Sequence, residues 1–251
     1  MSFPTLSRAV PGAHGARSLV FRSWLIPSTP ADLEVLAVDL FRVSGDPIIA
    51  VSFAHIRRLA LSCPSDIADL STFLQSADFP CLEDLALAVS DMDRVIVEKQ
   101  LDRLGEGILC HAAKVKRFSF AIVESQRPLS LPLNVWPSFT ALENLVLDSK
   151  APVDQILPSL PTRLSTFRLR ALFEGDEAPS FKGLRDAMRS RHQALQSLSK
   201  LILPIYEPSE PARDEEDELL NLCRERGIWV DRREALGRGD YAAHLEDSLD
   251  F

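Results

Sequence analysis

One short hydrophobic pattern recurs along the chain: an apolar residue, two others, an apolar residue, one other and a third apolar residue. Successive middle residues lie between 17 residues (Leu19 to Leu36) and 34 residues (Phe167 to Leu201) apart. This spacing brackets the period of about 20–29 residues that is typical of leucine-rich repeats. Clear copies begin at Leu33, Ile56, Leu82, Leu142, Leu164 and Leu198, and weaker copies begin at Ala16 and Val115.

The alternation at the end of each copy predicts a short strand. Because alternate residues of a strand share a face, the last two apolar residues of a copy point to the same side. A single strand cannot bury that side, whereas parallel stacking makes a continuous core. The sequence therefore predicts an α/β leucine-rich-repeat-like solenoid of about eight units, with a parallel sheet on the concave side and helices on the convex side. The alternative is an ordinary α/β core without solenoid order.

Helices are predicted between several copies, because apolar residues recur there at helical spacing. Gly105 and Gly107 are expected to be weak points of one helix. The acidic run 214–218 is placed in the first turn of the last helix, where acidic side chains complement the helix dipole. Gly227 is expected to end that helix before a final strand. The apolar faces are Ile67, Leu70, Phe73 and Leu74; Val97, Leu101, Leu104 and Ile108; Phe181, Leu184 and Met188; and Leu219, Leu220, Leu222 and Cys223.

These patterns divide the chain into three parts. Residues 1–15 form an N-terminal segment, residues 16–231 the repeat domain, and residues 232–251 a polar tail. The tail is expected either to form a short helix or to stay mobile.

The composition excludes some functions without identifying one. Of the 251 residues, 46% are hydrophobic and 25% are charged, as in average globular proteins. The net charge of −8 disfavours an unspecific nucleic-acid binder and an anionic membrane surface. We therefore expect neither nucleic acid nor membrane as a partner.

The cysteines and the N-terminus favour a reducing compartment. The four cysteines, Cys63, Cys81, Cys110 and Cys223, contain no Cys-x-x-Cys pair, and we expect Cys63 and Cys81 to be buried free thiols. The N-terminal residues lack the continuous apolar stretch of a signal peptide. A cytoplasmic or nuclear location is expected.

Candidate chemistry is sparse, and we predict that the protein is not an enzyme and uses no cofactor or metal. No nucleophile-elbow, phosphate-loop, dinucleotide or zinc-protease motif occurs. Cys110 and His111 are adjacent, but neighbours along a chain generally point apart. The acidic residues Asp91, Asp93 and Glu98 are too few for a metal loop. The tripeptide that begins at Arg238 spells an adhesion motif, which we interpret as coincidence.

The residues that alternate with the strand leucines predict a partner surface. They form three columns on the opposite face of the sheet, and the central one is mostly small and apolar. A partly open face of this kind suits a docked protein, and charges of both signs favour specific recognition. The alternative is a face that is already covered, as in many parallel sheets. The predicted partner-binding residues are Arg22, Arg58, Asp84, Arg117, Asp148, Arg168, Arg170 and Lys200.

Several copies also resemble a known family. The stretches FAHIRRLALSC (53–63), FPCLEDLALAV (79–89) and WPSFTALENLVLDS (136–149) resemble the degenerate leucine-rich repeats of fungal F-box proteins. LLNLCRERGIWV (219–230) is similar to the segment that often ends such chains. The resemblance covers roughly residues 16–231.

In that family an N-terminal F-box helix bundle binds the adaptor of a cullin-type ubiquitin ligase, and the repeats present the substrate. Residues 1–15 are too short to hold an F-box, so we expect only the repeat scaffold to carry over.

The sequence thus favours a non-enzymatic protein-interaction scaffold, with substrate recognition in an F-box-type ubiquitin ligase as its specific form. The expected partner is a protein, and the chain is expected to be a monomer outside a complex. Two alternatives stay open: a small α/β enzyme with a pocket at the carboxyl ends of its strands, and a truncated paralogue without its own function.

Overall fold

A computed structural model of the chain describes residues 18–21, 34–39, 51–63, 67–90, 98–123, 130–148, 150–170, 181–205 and 210–233. Within these residues the fold is α/β, with one large sheet that is parallel throughout and does not close on itself. No helix in this described part is long and apolar enough to span a membrane.

Nine strands form the large sheet, and their spatial order follows their order along the chain. A separate parallel pair, β3 (Val51–Ser52) and β5 (Ala77–Asp78), lies in the connections. The strands of the large sheet are β1 (Ser18–Phe21), β2 (Val35–Asp39), β4 (Arg58–Cys63), β6 (Asp84–Ser90), β7 (Arg117–Val123), β8 (Asn144–Asp148), β9 (Thr166–Arg170), β10 (Lys200–Pro204) and β11 (Trp229–Arg233).

The strand register matches the repeated sequence pattern. Leu59 pairs with Leu85, Leu85 with Phe118, and Phe118 with Leu145. The middle residue of every predicted copy lies in this one row, from Leu19 to Leu201. A one-residue slip would turn every leucine to the other face, and burial of that face fixes the register. The final strand, β11, adds Val230 to the row.

The row of leucines and phenylalanines forms the core between sheet and helices. Its members from Leu36 to Leu201 are almost completely buried. Aromatic residues from the turns before the strands join this core, and Phe118 contacts Phe139 at a ring-centroid distance of 4.6 Å. The core is therefore one continuous cluster along the described strands and helices.

Helices and short 3₁₀ turns connect the strands. The predicted helices are present, and the described residues of their apolar faces are buried, except Leu220 and Leu222, which are partly buried. The additional helix α3 (Val153–Ile156) is too short to show helical periodicity in the sequence. The helices are α1 (Ile67–Ser76), α2 (Glu98–Leu109), α3 (Val153–Ile156), α4 (Lys182–Arg189) and α5 (Glu210–Glu225).

The start of α5 differs from the expectation. The helix begins at Glu210, so the acidic run 214–218 lies beyond its first turn. Pro211 occupies the first turn, where its missing N–H loses no helical hydrogen bond. At the other end, Gly227 adopts a φ of +68°, and the chain turns into β11 as expected.

The two glycines of α2 are not weak points, since the helix runs through both. A Cβ atom at Gly105 would lie 2.8 Å from Cγ2 of Val135, and one at Gly107 would lie 3.0 Å from the Ser71 carbonyl oxygen. Both glycines therefore allow close packing, which offsets their poor helix propensity.

One cysteine prediction is wrong. Cys63 is buried as expected, but Cys81 is exposed. Cys81 lies in the turn between Phe79 and Leu82, whose side chains are buried in the core. The apolar run around it therefore contains one position that faces solvent.

Candidate functional site

The face of the sheet opposite the leucine core carries three columns of side chains, as the register of the strands requires. The first column contains Val35, Arg58, Asp84, Arg117, Asn144, Thr166, Lys200 and Trp229. The second contains Ala37, Ala60, Ala86, Ser119, Val146, Arg168, Ile202 and Asp231. The third contains Ser62, Ala88, Ala121, Asp148, Arg170, Pro204 and Arg233.

The second and third columns are buried on all described strands from β4 to β10. Ala60 has no exposed surface, and with Ala37 and Ala86 it forms a small apolar cluster separate from the main core. The small apolar central column is therefore covered, and on the described strands from β4 to β10 the predicted face is partly open only along its first column.

The predicted partner-binding residues fall into two groups. Arg58, Arg117 and Lys200 lie in the first column and are partly exposed. The others that the structure describes, Asp84, Asp148, Arg168 and Arg170, are buried. Arg22 lies outside the described residues. Of the predicted residues that the structure describes, only Arg58, Arg117 and Lys200 can contact a partner without rearrangement, and partner binding itself stays a prediction.

Asp84 is held between two arginines from the neighbouring strands. Arg117 on β7 donates from Nε to Oδ1 at 2.6 Å and from Nη2 to Oδ2. Arg58 on β4 places its Nε 3.1 Å from Oδ2 of the same carboxylate. Two guanidinium groups thus neutralise one buried carboxylate, and bidentate pairing fixes the geometry of Arg117.

A second line of charge lies immediately before the strands, and we call it the flanking row: Glu34, Arg57, Glu83, Lys116 and Glu143. Oε1 of Glu83 lies 3.6 Å from Nη1 of Arg57 and 3.4 Å from Nζ of Lys116. Farther along, Oε1 of Glu143 lies 3.8 Å from Nη2 of Arg163. All these side chains are substantially exposed, so the pairs are surface ion pairs of small energy.

The backbone of the flanking row anchors the strands. The Arg57 carbonyl oxygen accepts from the N–H groups of Glu83 (2.8 Å) and Asp84 (2.9 Å). The Glu83 oxygen accepts in the same way from Lys116 (2.7 Å) and Arg117 (3.1 Å), and the arrangement continues to Ser165. The charged side chains therefore project from a regularly hydrogen-bonded edge.

At the last strand the first column ends in an exposed aromatic residue. Trp229 is 70% exposed, and Nζ of Lys200 lies 5.6 Å from its ring centroid. The same Nζ lies 3.6 Å from Oδ2 of Asp231. A large exposed ring beside a paired cation is a typical anchor in protein interfaces.

In the third column, Asp148 is buried and accepts backbone hydrogen bonds from Ile122 (3.3 Å) and Lys150 (2.9 Å). Burial raises the pKa of Asp148 to about 6, although the two backbone hydrogen bonds and the nearby Arg170 oppose the shift. Its surroundings are therefore less favourable to a negative charge than water is.

The described residues give no support to a catalytic pair of Cys110 and His111. Nε2 of His111 donates to the Leu74 carbonyl oxygen at 2.8 Å, and burial lowers the pKa of the ring. The Cys110 thiol is exposed and donates to the Glu106 carbonyl oxygen at 3.7 Å. The searched part of the chain contains no group of three or more His, Cys, Asp or Glu residues that could hold a metal ion.

Other sequence candidates cannot be placed. Asp91, Asp93 and the Arg238 tripeptide lie outside the described residues, and the side chain of Glu98 is not described. Conversely, the sequence prediction missed the flanking row and Trp229. Extending the columns by one residue toward the N-terminus, and the sheet by one strand, would have found both.

Three comparisons bear on the family of this chain. They cover models of protein families, curated proteins and solved structures, and none of them finds a match. The resemblance to F-box proteins therefore stays a prediction, and the functional argument rests on the geometry of the columns.

Proposed function

We propose that the chain is a non-enzymatic protein-interaction scaffold, built as a leucine-rich-repeat-like solenoid with the sheet on its concave side. The partner surface is the first column together with the flanking row. The observation that carries the proposal is the in-register stacking of one sequence pattern, which brings the first-column side chains into line, all of them at least partly exposed where described except Asp84.

The turns before the strands also support a repeating unit. The N–H groups of Ile56, Leu82 and Leu142 each donate to the carbonyl oxygen three residues earlier, at 3.1–3.3 Å. Two of those earlier residues, Phe53 and Phe79, stack with a centroid distance of 4.8 Å. Repeated local geometry with contacts between neighbouring units is the physical basis of a solenoid.

The strand order favours a scaffold over an α/β enzyme. In open α/β sheets, ligands bind where the strand order reverses, at a topological switch point. The nine described strands of the large sheet follow the chain without such a reversal. An elongated edge with charged residues and an exposed tryptophan is better suited to a protein partner than to a small substrate.

The specific role that we propose is substrate recognition in an F-box-type ubiquitin ligase, on the basis of the resemblance of the repeats. The test is affinity capture from the source cells with the intact chain, followed by mass spectrometry. The test variant is Trp229→Ala/Lys200→Ala on the partner surface. The control is Leu109→Ala/Lys182→Ala on the helices, where both residues are exposed.

We expect at least one protein to be captured by the native chain and by the control but strongly depleted with the test variant. Equal capture by all three chains would overturn the proposed surface, and absence of any captured protein would overturn the scaffold function. Recovery of a cullin adaptor supports the ligase role, and its absence among the captured proteins counts against that role. Thermal melting verifies that both variants are folded.

A further inference from the structure

The first column and the flanking row together form the exposed edge. Its central part carries more cations than carboxylates, although the chain as a whole has a net charge of −8. The four cations lie at the beginning of β4 and β7 and immediately before these strands, and we call them the basic edge: Arg57, Arg58, Lys116 and Arg117. Between them lie only two carboxylates, those of Glu83 and Asp84.

Three of the four cations of the basic edge are substantially exposed, and the fourth, Arg117, is 25% exposed and pairs with Asp84. The side chains of Arg57 and Lys116 are 57% and 48% exposed, and they share the single carboxylate of Glu83. Arg58 is 42% exposed and contacts Asp84 through Nε, so other guanidinium donors remain for a ligand. Asp84, in contrast, is buried and offers little negative charge to an incoming molecule.

We propose that the basic edge binds an acidic peptide segment of the protein partner. This inference rests on the proposed scaffold function and specifies the chemistry of the partner. Carboxylates suit these residues because guanidinium groups bind them in a bidentate manner. Arg57 and Lys116 precede strands that are two apart in the sheet, a separation of roughly 9–10 Å. In a polyproline II segment, residues three apart lie on the same side at about 9 Å, so acidic side chains at this spacing match the two cations.

A peptide fits the edge better than a nucleic acid does. Cations and carboxylates alternate in the flanking row, from Arg57 through Glu83 and Lys116 to Glu143. A phosphate backbone carries one negative charge per nucleotide, so it would be repelled by each of these carboxylates. A peptide can place acidic residues only where the cations lie.

The test measures binding of a fluorescent peptide of repeated Glu-Ser-Ser units to the intact chain by fluorescence anisotropy. The matching glutamine–serine peptide is the ligand control. Arg57→Gln/Lys116→Gln removes two cations of the basic edge. Lys182→Gln/Arg224→Gln removes two exposed cations from α4 and α5 and gives the same change in net charge.

We expect the Arg57→Gln/Lys116→Gln variant to bind the acidic peptide about tenfold more weakly, whereas the control variant binds within about twofold of the native chain. Glu83→Gln removes the competing carboxylate and is expected to tighten binding severalfold. Glu106→Gln, at an exposed position of α2, is the matched control and is expected to have little effect.

Equal weakening in both double variants would overturn the proposal, because the effect would then follow from net charge. Absence of peptide binding would overturn it as well. Tighter binding of single-stranded RNA, lost in Arg57→Gln/Lys116→Gln, would replace the peptide by a nucleic acid. If a captured partner depends on Trp229 and Lys200 but not on Arg57 and Lys116, the scaffold function stands and only the basic edge fails.

Discussion

Two aspartates on the same face of the sheet, one near the beginning of its strand and one near the end, lie in different electrostatic environments. Asp84, in the first column, lies between two arginines that still reach solvent. Asp148, in the third column, is held mainly by backbone N–H groups within a buried region. The first arrangement neutralises a carboxylate at an accessible edge, and the second keeps one in surroundings that disfavour its charge.

The contrast extends to the columns as a whole. Most described side chains of the first column reach water, so most changes there cost little stability. The second and third columns are buried from β4 to β10, so changes there affect mainly the fold. Accessible and buried positions thus lie in different columns of one sheet face.

The largest expected effect is that of Ala60→Asp in the second column. Ala60 has no exposed surface and lies between Ala37 and Ala86, so the new carboxylate would have no charged partner beside it in the register. We expect the free energy of unfolding to fall by about 3–5 kcal/mol, the cost of an uncompensated buried charge. Urea denaturation measures the change.

Thr166→Asp in the first column is the matched control. Thr166 is half-buried and pairs in register with Lys200, so we expect a change within about 1 kcal/mol. Similar costs for the two variants would break the proposed division between the columns.

The next effect is the pH dependence that arises from Asp148. Its pKa is raised to about 6 in the folded state, so the folded protein binds this proton more tightly than the unfolded chain does. The resulting stabilisation of the folded state is complete below the unfolded-state pKa near 4 and is lost as pH rises through 6. The loss amounts to about 2 kcal/mol between pH 4 and pH 7. Asp148→Asn removes this contribution, and urea denaturation at several pH values compares the variant with the native chain.

Asp154→Asn, at an exposed position of α3, controls for the loss of one carboxylate. If the difference in unfolding free energy between the native chain and Asp148→Asn is the same at pH 4 and pH 7, Asp148 is not held in a charge-disfavouring environment.

The smallest effect is expected for Asp84→Asn. The asparagine keeps the shape but no longer neutralises Arg58 and Arg117. Both arginines are partly exposed, so we expect a loss of about 1–2 kcal/mol, less than for a fully buried ion pair. A double-mutant cycle with Arg117→Gln measures the coupling, and a coupling near zero would show that the carboxylate does not hold this arginine.

The α/β class, the parallel sheet and the strand register were predictable because they depend on local alternation. Leu59 and Leu61 share one face wherever their strand lies, and neighbouring copies align only when their leucines join one core. The same reasoning located the final strand after Gly227. The short helix α3 carries too few residues for a periodic signal, and the start of α5 depends on Pro211 rather than on the acidic run.

Burial of the second and third columns was not predictable from the residues. Alanine and serine fit a buried face or an open one, and an arginine such as Arg168 is normally exposed. Its burial depends on long-range packing that no local pattern encodes. The columns in which the predicted residues lie were therefore identified from the sequence, but their accessibility required the three-dimensional structure.

The carbonyl groups of the flanking row that accept two backbone hydrogen bonds bear on which changes in sequence length the fold tolerates. Each of them ties the beginning of one strand to the unit before it, whatever the length of the intervening chain. The connections between Leu59, Leu85 and Phe118 differ in length, yet their strands remain in register. Insertions and deletions on the helical side should thus leave the first column and the flanking row in place. The connections can therefore vary in length while the positions of these side chains are maintained.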